Sequence, residues 1–395
     1  MKYNFDEIID RSGTAAVKTD AVITNWGRND LIPLWVADMD FPTAPFVTEA
    51  LRHRCEHGIF GYTLKQDGYY QAIINWNRMR YEFSVQKEAI HFVPGIVPGI
   101  ALALKALTQP GDKIMIQPPV YHPFRFVCER NGREVVTNPL KWIDGKLRMD
   151  MEDFREKVKG CKVFILCNPH NPGGLVWSEK DLLEIAHICA QEQVIVFSDE
   201  IHADLTLPPL QHHPFASVSE EARLNSVTFM SPSKAFNMPG LTASHAIIFN
   251  KELSHRFGLF MESCELGMGH AFAFIAVEAA YTHGTEWLTQ CLSYIQKNID
   301  YVDTFLKAHA PKIKVIRPQA SYLIWLDCRE MGLPQKDLVD FFVDKAHLAL
   351  NDGAMFGKEG IGFMRLNVGS PRSIIEKAMQ QLADAYEQWE EPIKH

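Results

Sequence analysis

No stretch of the 395 residues approaches the ~20 consecutive apolar positions that a membrane-spanning helix needs, so no membrane partner is expected. Basic runs are missing too. Lys and Arg number 40 against 48 Asp and Glu, for a net charge of -8, which argues against a nucleic-acid partner. The eight cysteines stand singly, without Cys-x-x-Cys pairs or His–Cys spacings. That signals neither a disulfide framework nor a zinc site, and it predicts reduced core residues of a cytoplasmic protein. The opening Met1-Lys2-Tyr3-Asn4-Phe5-Asp6 lacks the apolar core of a signal peptide. What remains is ordinary globular material, 47% hydrophobic and 22% charged, long enough for two or three domains of ~150 residues each.

From about residue 90 onward, short apolar runs alternate with amphipathic stretches. Strands are expected at 91–93, 113–117, 163–167, 194–198, 227–230 and 246–249, separated mostly by helices such as 178–191. This alternation predicts an α/β fold: a large domain, about 46–285, with a mostly parallel sheet sandwiched by helices. Residues 1–45 read as an arm rich in turn formers, contributing to the small domain and the substrate site. From about 286 to 395 the pattern changes to a smaller α+β domain, with helices at 290–309 and 335–348 and strands at 314–316, 322–326 and 364–368. Ser370-Pro371 reads as the capped start of a last helix.

In a parallel sheet, ligands lie beyond the C-terminal ends of the strands. There the sequence places Tyr121, Asn171, Asp199 with His202, and the turn Ser231-Pro232-Ser233-Lys234. A lysine at such a strand end can be partly desolvated, which lowers its pKa and leaves an amine able to form a Schiff base. The two flanking hydroxyls suit a phosphate. Together they describe a site for pyridoxal 5′-phosphate (PLP) with Lys234 carrying it; the plainer alternative is a surface turn. The run 94–99, with Ile96 and Val97, joins a strand to a helix and is either an anion site at a helix N-terminus or a plain connection. Asn171 could equally form a turn, Asp199 cap a helix and Tyr121 belong to the core. Arg365, in an otherwise apolar strand, needs a carboxylate from the protein or from a substrate. Tyr62, between Gly61 and Thr63, is by itself a turn residue.

Asn171-Pro172-x-Gly, Asp199-x-x-His202 and Ser231-x-Ser233-Lys234 resemble, in type, order and spacing, the fold type I, aspartate aminotransferase-like PLP enzymes. Phe5-Asp6 with Ile9-Asp10-Arg11, the run Trp35-Val36-Ala37-Asp38-Met39-Asp40-Phe41, Gly61-Tyr62-Thr63 and Pro119-Val120-Tyr121-His122-Pro123-Phe124 are similar to the MalY/PatB group of cystathionine β-lyases. Aminotransferases usually have tyrosine where His202 stands and arginine where Thr242 stands. The resemblance implies a carbon–sulfur lyase that eliminates a thiol from cystathionine or another S-substituted L-cysteine. It further implies Lys234 as cofactor carrier and base, Asp199 at the pyridine nitrogen, and Asn171 and His202 at the phenolic oxygen. Tyr121 would stack on the ring, and Ser231, Ser233, Ile96 and Val97 would hold the phosphate. Tyr62 would reach that phosphate from the second subunit of a homodimer. Arg365 would clamp the substrate carboxylate, with Asn171 and Trp35 beside the substrate. An aminotransferase and a PLP-binding regulator are the alternatives.

Overall fold

The computed structural model describes residues 2–143 and 145–390; Met1, Asp144 and 391–395, the end of the expected small domain, lie outside the described residues. Two compact units emerge, one formed by 43–171 with 175–288, the other by 1–42, 172–174 and 289–395. The arm therefore shares a unit with the C-terminal segment, and the break at 288/289 falls inside the 25-residue helix Thr285–His309.

In the larger unit, the apolar runs pair into a seven-stranded sheet. Its strands are β1 (Ile90–Val93), β2 (Lys113–Ile116), β3 (Glu134–Thr137), β4 (Cys161–Cys167), β5 (Ile195–Asp199), β6 (Ser226–Met230) and β7 (Ser244–Ile247). They lie in the order β1-β7-β6-β5-β4-β2-β3. Neighbours from β3 to β6 run parallel, and β7 is antiparallel to both β6 and β1. All five residues of β6 are buried, and β4 and β5 are nearly so. A strand covered on both faces must be apolar throughout, which is why these runs do not alternate. One face is covered by helix Ile96–Leu107, whose Ile100, Ala103 and Leu104 are fully buried with Phe197, Val227 and Phe229. On the other, helix Glu179–Gln191 places Leu182, Ile185 and Cys189 with Phe164 and Val196. Each such aliphatic side chain contributes about 1.5–3 kcal/mol by leaving water. Gly99 permits the close approach of helix to sheet: a methyl there would lie 3.0 Å from Val93 and 3.2 Å from Phe229.

The smaller unit carries a four-stranded antiparallel sheet of β8 (Lys314–Ile316), β9 (Leu323–Asp327), β10 (Asn351–Asp352) and β11 (Phe363–Asn367), in the order β8-β9-β11-β10. The helix expected over 335–348 stops early. Gln335–Asp340 is α-helical, Ala346 N–H then reaches back five residues to the Phe341 carbonyl, and Leu348–Ala349 pairs in parallel with Ile32–Pro33 of the arm. Ser370, expected as a helix cap, gives its hydroxyl to the Asp40 carboxylate. Among the described residues no helix is long and apolar enough to cross a membrane.

Candidate active site

Strand register decides what meets at the C-terminal edge of the large sheet. Asp199, the last residue of β5, lies opposite Cys167 of β4 on one side and Phe229 of β6 on the other. Asn168 N–H donates to the Asp199 carbonyl at 2.9 Å, and Glu200 N–H donates to the Phe229 carbonyl at 2.9 Å. The turns carrying Asn171, Asp199 and Lys234 therefore leave from three adjacent strand ends. Asn171 is placed by the thiol of Cys167, whose sulfur accepts the Asn171 N–H at 3.3 Å. The Asn171 carbonyl in turn accepts the Tyr121 N–H at 3.0 Å, bringing the segment after β2 to the same edge. Asn171 and His202 are buried, while Tyr121 and Lys234 are half-buried.

The Lys234 turn is tightly wound. Phe236 N–H donates to the Pro232 carbonyl and Met238 N–H to the Ser233 carbonyl, each at 2.9 Å. Ser231 Oγ accepts the Ser233 N–H at 3.1 Å, donates to the Ala243 carbonyl at 2.7 Å and lies 2.9 Å from Ser233 Oγ. The two hydroxyls thus brace the turn as well as each other. Eight residues on, Thr242 has a left-handed backbone (φ 48°), and its hydroxyl lies 3.1 Å from His270 Nε2.

Asp199 carries the unusual electrostatics. It is 3% exposed, and Oδ1 accepts the Ile201 N–H at 3.1 Å. Burial, helped by the Glu200 carboxylate, outweighs that hydrogen bond and the attraction of Lys234, and pushes the carboxyl up to about 7. A third feature of this unit is the start of helix Ile96–Leu107, where Gly95 takes φ 110°. The first N–H groups of a helix, here those of Ile96 and Val97, have no carbonyl behind them within it and favour an anion. An amine, a buried carboxyl and a helix N-terminus are thus assembled on one scaffold. Tyr62 is 98% exposed in this chain, in the segment 59–64 where Ile59, Phe60 and Leu64 are also exposed.

Arg365 and Trp35 belong to the smaller unit. Arg365 is 5% exposed. Its Nη2 donates to the Trp35 carbonyl at 3.0 Å and to Asn351 Oδ1, and its guanidinium lies 5.0 Å from the centre of the Phe356 ring. The Trp35 indole donates to the Lys18 carbonyl at 2.9 Å and meets Trp26 edge-on at 5.2 Å.

A profile for aminotransferase class I and II matches residues 29–382 of the sequence. The chain belongs to the aminotransferase class I and II family. Among its relatives, the cystathionine beta-lyase PatB of Bacillus subtilis (strain 168) is 42% identical over 97% of this chain and 99% of its own. The protein MalY of Escherichia coli (strain K12) is 32% identical over 97% and 98%. The crystal structure of the PLP-bound C–S lyase from Staphylococcus hominis superposes with a TM-score of 0.91 at 34% identity, covering 98% of both chains.

This family member also holds a buried network that local sequence reading passes over. The Glu200 carboxylate accepts from Ser198 Oγ and Phe215 N–H, each at 2.8 Å, and contacts His212 Nε2 at 2.7 Å, with both side chains fully buried. Its one signal in the sequence is a second acid directly after Asp199, which strand alternation turns to the opposite side. Nothing local announces His212 as its partner. Nearby, burial holds the Asp204 carboxyl above its usual range, and that carboxyl accepts from Trp76 Nε1 at 2.8 Å and from the Tyr81 hydroxyl.

Proposed function

We propose that this chain is a PLP-dependent carbon–sulfur lyase that eliminates a thiol from cystathionine or related S-substituted L-cysteines, leaving pyruvate and ammonia. The observation that carries the reading is Asp199, a carboxyl so buried that its pKa is pushed up to about 7, in register with the strand end that leads to Lys234. A protonated pyridine nitrogen is a cation that suits such a carboxyl. The N–H groups of Ile96 and Val97 at a helix start, with the hydroxyls of Ser231 and Ser233, suit a phosphate. The residues present therefore fit PLP, and the 42% identity to the Bacillus lyase supports elimination as the reaction.

When bound, PLP supplies an electron sink for the pair left on the α-carbon. Lys234 would hold the cofactor and then take the α-proton as general base. Asp199 would keep the ring nitrogen protonated, Asn171 and His202 would hold the phenolic oxygen, and Tyr121 would cover the ring face. Arg365 would take the substrate α-carboxylate as a planar two-donor fork, beside Trp35. The Cα–H and Cβ–S bonds break and the thiolate leaves, taking a proton. The released aminoacrylate takes up water to give pyruvate and ammonia. A thiol with a pKa of ~8.5 is a good leaving group, which favours elimination. Tyr62 would act from a second copy of the chain. The exposed apolar run 59–64, with Tyr62 98% exposed and Leu64 83%, supports a homodimer that covers it. All eight cysteines are free, which supports a reducing, cytoplasmic setting.

The test supplies L-cystathionine with no keto acid. Sustained, stoichiometric homocysteine, pyruvate and ammonia over many turnovers are expected. Activity that stops after one turnover and resumes only with added keto acid would show an aminotransferase instead.

A further inference from the structure

Residues 34–40 of the smaller unit form a strap whose carbonyls are all claimed from 34 to 39. That of Leu34 accepts Asn367 N–H at 2.9 Å. That of Trp35 accepts Arg365 Nη2 at 3.0 Å, that of Val36 accepts Asn367 Nδ2 at 2.6 Å, and that of Ala37 accepts the Tyr322 hydroxyl at 2.9 Å. The Asp38 carbonyl accepts Asn367 Nδ2 at 2.7 Å, and the Met39 carbonyl accepts Arg11 Nη1 at 3.3 Å.

The side chains of Asp38 and Asp40 extend the strap into a clasp of two cations and two carboxylates. Lys18 Nζ lies 2.7 Å from Asp40 Oδ2 and 3.7 Å from Asp38 Oδ1. Arg11 lies 2.7 Å from Asp38 Oδ2 and 2.8 Å from Asp40 Oδ1. The Lys18 side chain is fully buried, and Ser370 adds its hydroxyl to Asp40. Buried ion pairs give little net stability over well-packed apolar residues, because desolvation offsets their attraction. What they add is direction: each carboxylate is tied to both cations, and the main chain between them cannot slide. Three residues before that segment, on the same strap, stands the Trp35 carbonyl, which holds Nη2 of Arg365.

We propose that the Arg11–Lys18–Asp38–Asp40 clasp is a positioning device for Arg365, fixing the strap so that the Trp35 carbonyl orients the guanidinium that receives the substrate's α-carboxylate. The proposal rests on the reading of Arg365 given above. Arg11, Lys18, Asp38 and Asp40 are therefore positioning residues for substrate binding, acting through main chain and never touching the substrate.

The test measures calorimetric affinities of the purified holoenzyme for two probes. L-Alanine carries the carboxylate but no leaving group, and L-alaninamide lacks the carboxylate. Asp40→Asn is expected to weaken L-alanine about tenfold and Ser370→Ala about threefold, with L-alaninamide unchanged in both. Equal weakening of both probes, or a fall in Tm with neither weakened, overturns the proposal and leaves the clasp a fold-holding element only. Should Asp40→Asn fail to fold, Ser370→Ala decides. Arg365→Ala is measured alongside. If it discriminates between the probes while the clasp variants do not, the clasp proposal alone falls. If Arg365→Ala does not discriminate either, the carboxylate reading of Arg365 falls and the clasp proposal with it. L-Alanine undergoes no elimination, so under the lyase reading its affinity is measured without turnover; in an aminotransferase it would instead convert the cofactor to its amine form, which loss of the visible cofactor band during the titration reveals.

Discussion

Two desolvated aspartates of this molecule, one half-buried and one buried, have opposite electrostatics. Asp40 is desolvated, yet Lys18, Ser370 and Arg11 hold its carboxyl below the usual range. Asp199 is desolvated too, but the Ile201 N–H and Lys234 do not make up the loss, and the Glu200 carboxylate adds to it, so its carboxyl rises to about 7. The first is satisfied by groups of its own chain. The second is left short of positive charge at the end of a parallel strand, where a cationic ligand atom would complete it. Burial alone does not mark a functional carboxyl. Nor does a raised carboxyl alone, since Asp204 is raised too while held by Trp76 and Tyr81; the signal at Asp199 is a raised carboxyl at the strand end beside the Lys234 turn.

The largest effect expected from breaking the Asp199 region is at Lys234. Replacing it by Ala removes both the cofactor's anchor and the base, and should lower pyruvate release from L-cystathionine by about 10⁴-fold. Borohydride reduction of the wild-type protein should leave PLP on the Lys234 peptide; an adduct at another lysine would sink the assignment.

Asp199→Asn comes next, at about 10²-fold in kcat, and it carries a pH signature. In the cofactor-free protein the folded carboxyl, at about 7, keeps a proton that the unfolded chain loses near its ordinary 3.8. The folded state then binds more protons than the unfolded one across that window, so its stability falls as pH rises through it. A ring-nitrogen cation removes this penalty. The Tm difference between cofactor-loaded and cofactor-free protein should widen from about pH 4 to about pH 7 and level off above it. In Asp199→Asn the widening should vanish, and if it persists, Asp199 is not the group that meets the ring.

On the side of the compensated aspartate, Arg365→Ala should cost roughly ten- to hundredfold in kcat/KM through the lost carboxylate contact. An unchanged kcat/KM would remove Arg365 from the substrate site. Smallest is the contribution of Tyr62, where Tyr62→Phe should lose severalfold. Mixing it with Lys234→Ala should restore activity beyond either parent, because one site of each heterodimer is then intact. No recovery despite demonstrated subunit exchange would place Tyr62 in its own chain's site.

Much of the Asp199 region was legible in the sequence because strands buried on both faces leave continuous apolar runs, and the residue after each run must lie at the sheet edge. β3 was not. As an edge strand with Glu134 exposed and Val135 to Thr137 only half-buried, it carries no such run. The end of the 335–348 stretch misled for a different reason. Its apolar spacing continues through Phe341, Phe342 and Val343, all buried, but Leu348 and Ala349 leave the helix to pair with the arm. The clasp and the Glu200–His212 pair were invisible because their partners are joined by tertiary packing. Lys18 and Asp40 lie 22 positions apart, Glu200 and His212 12, and no periodicity links either pair.

Cys167, described above as the hydrogen-bond acceptor that sets Asn171, is one of six buried cysteines. Burial pushes the thiol of Cys161 up to about 11 and that of Cys128 up to about 12. It raises Cys167, Cys189, Cys291 and Cys328 as well. Disulfide exchange proceeds through the thiolate and needs access. A protein that releases thiols bathes in its own reductant and, whenever oxidant is present, in the mixed disulfides that follow. Its interior sulfur is closed to that traffic, which leaves the exposed Cys55 and Cys264 as the places where product and enzyme can become covalently joined.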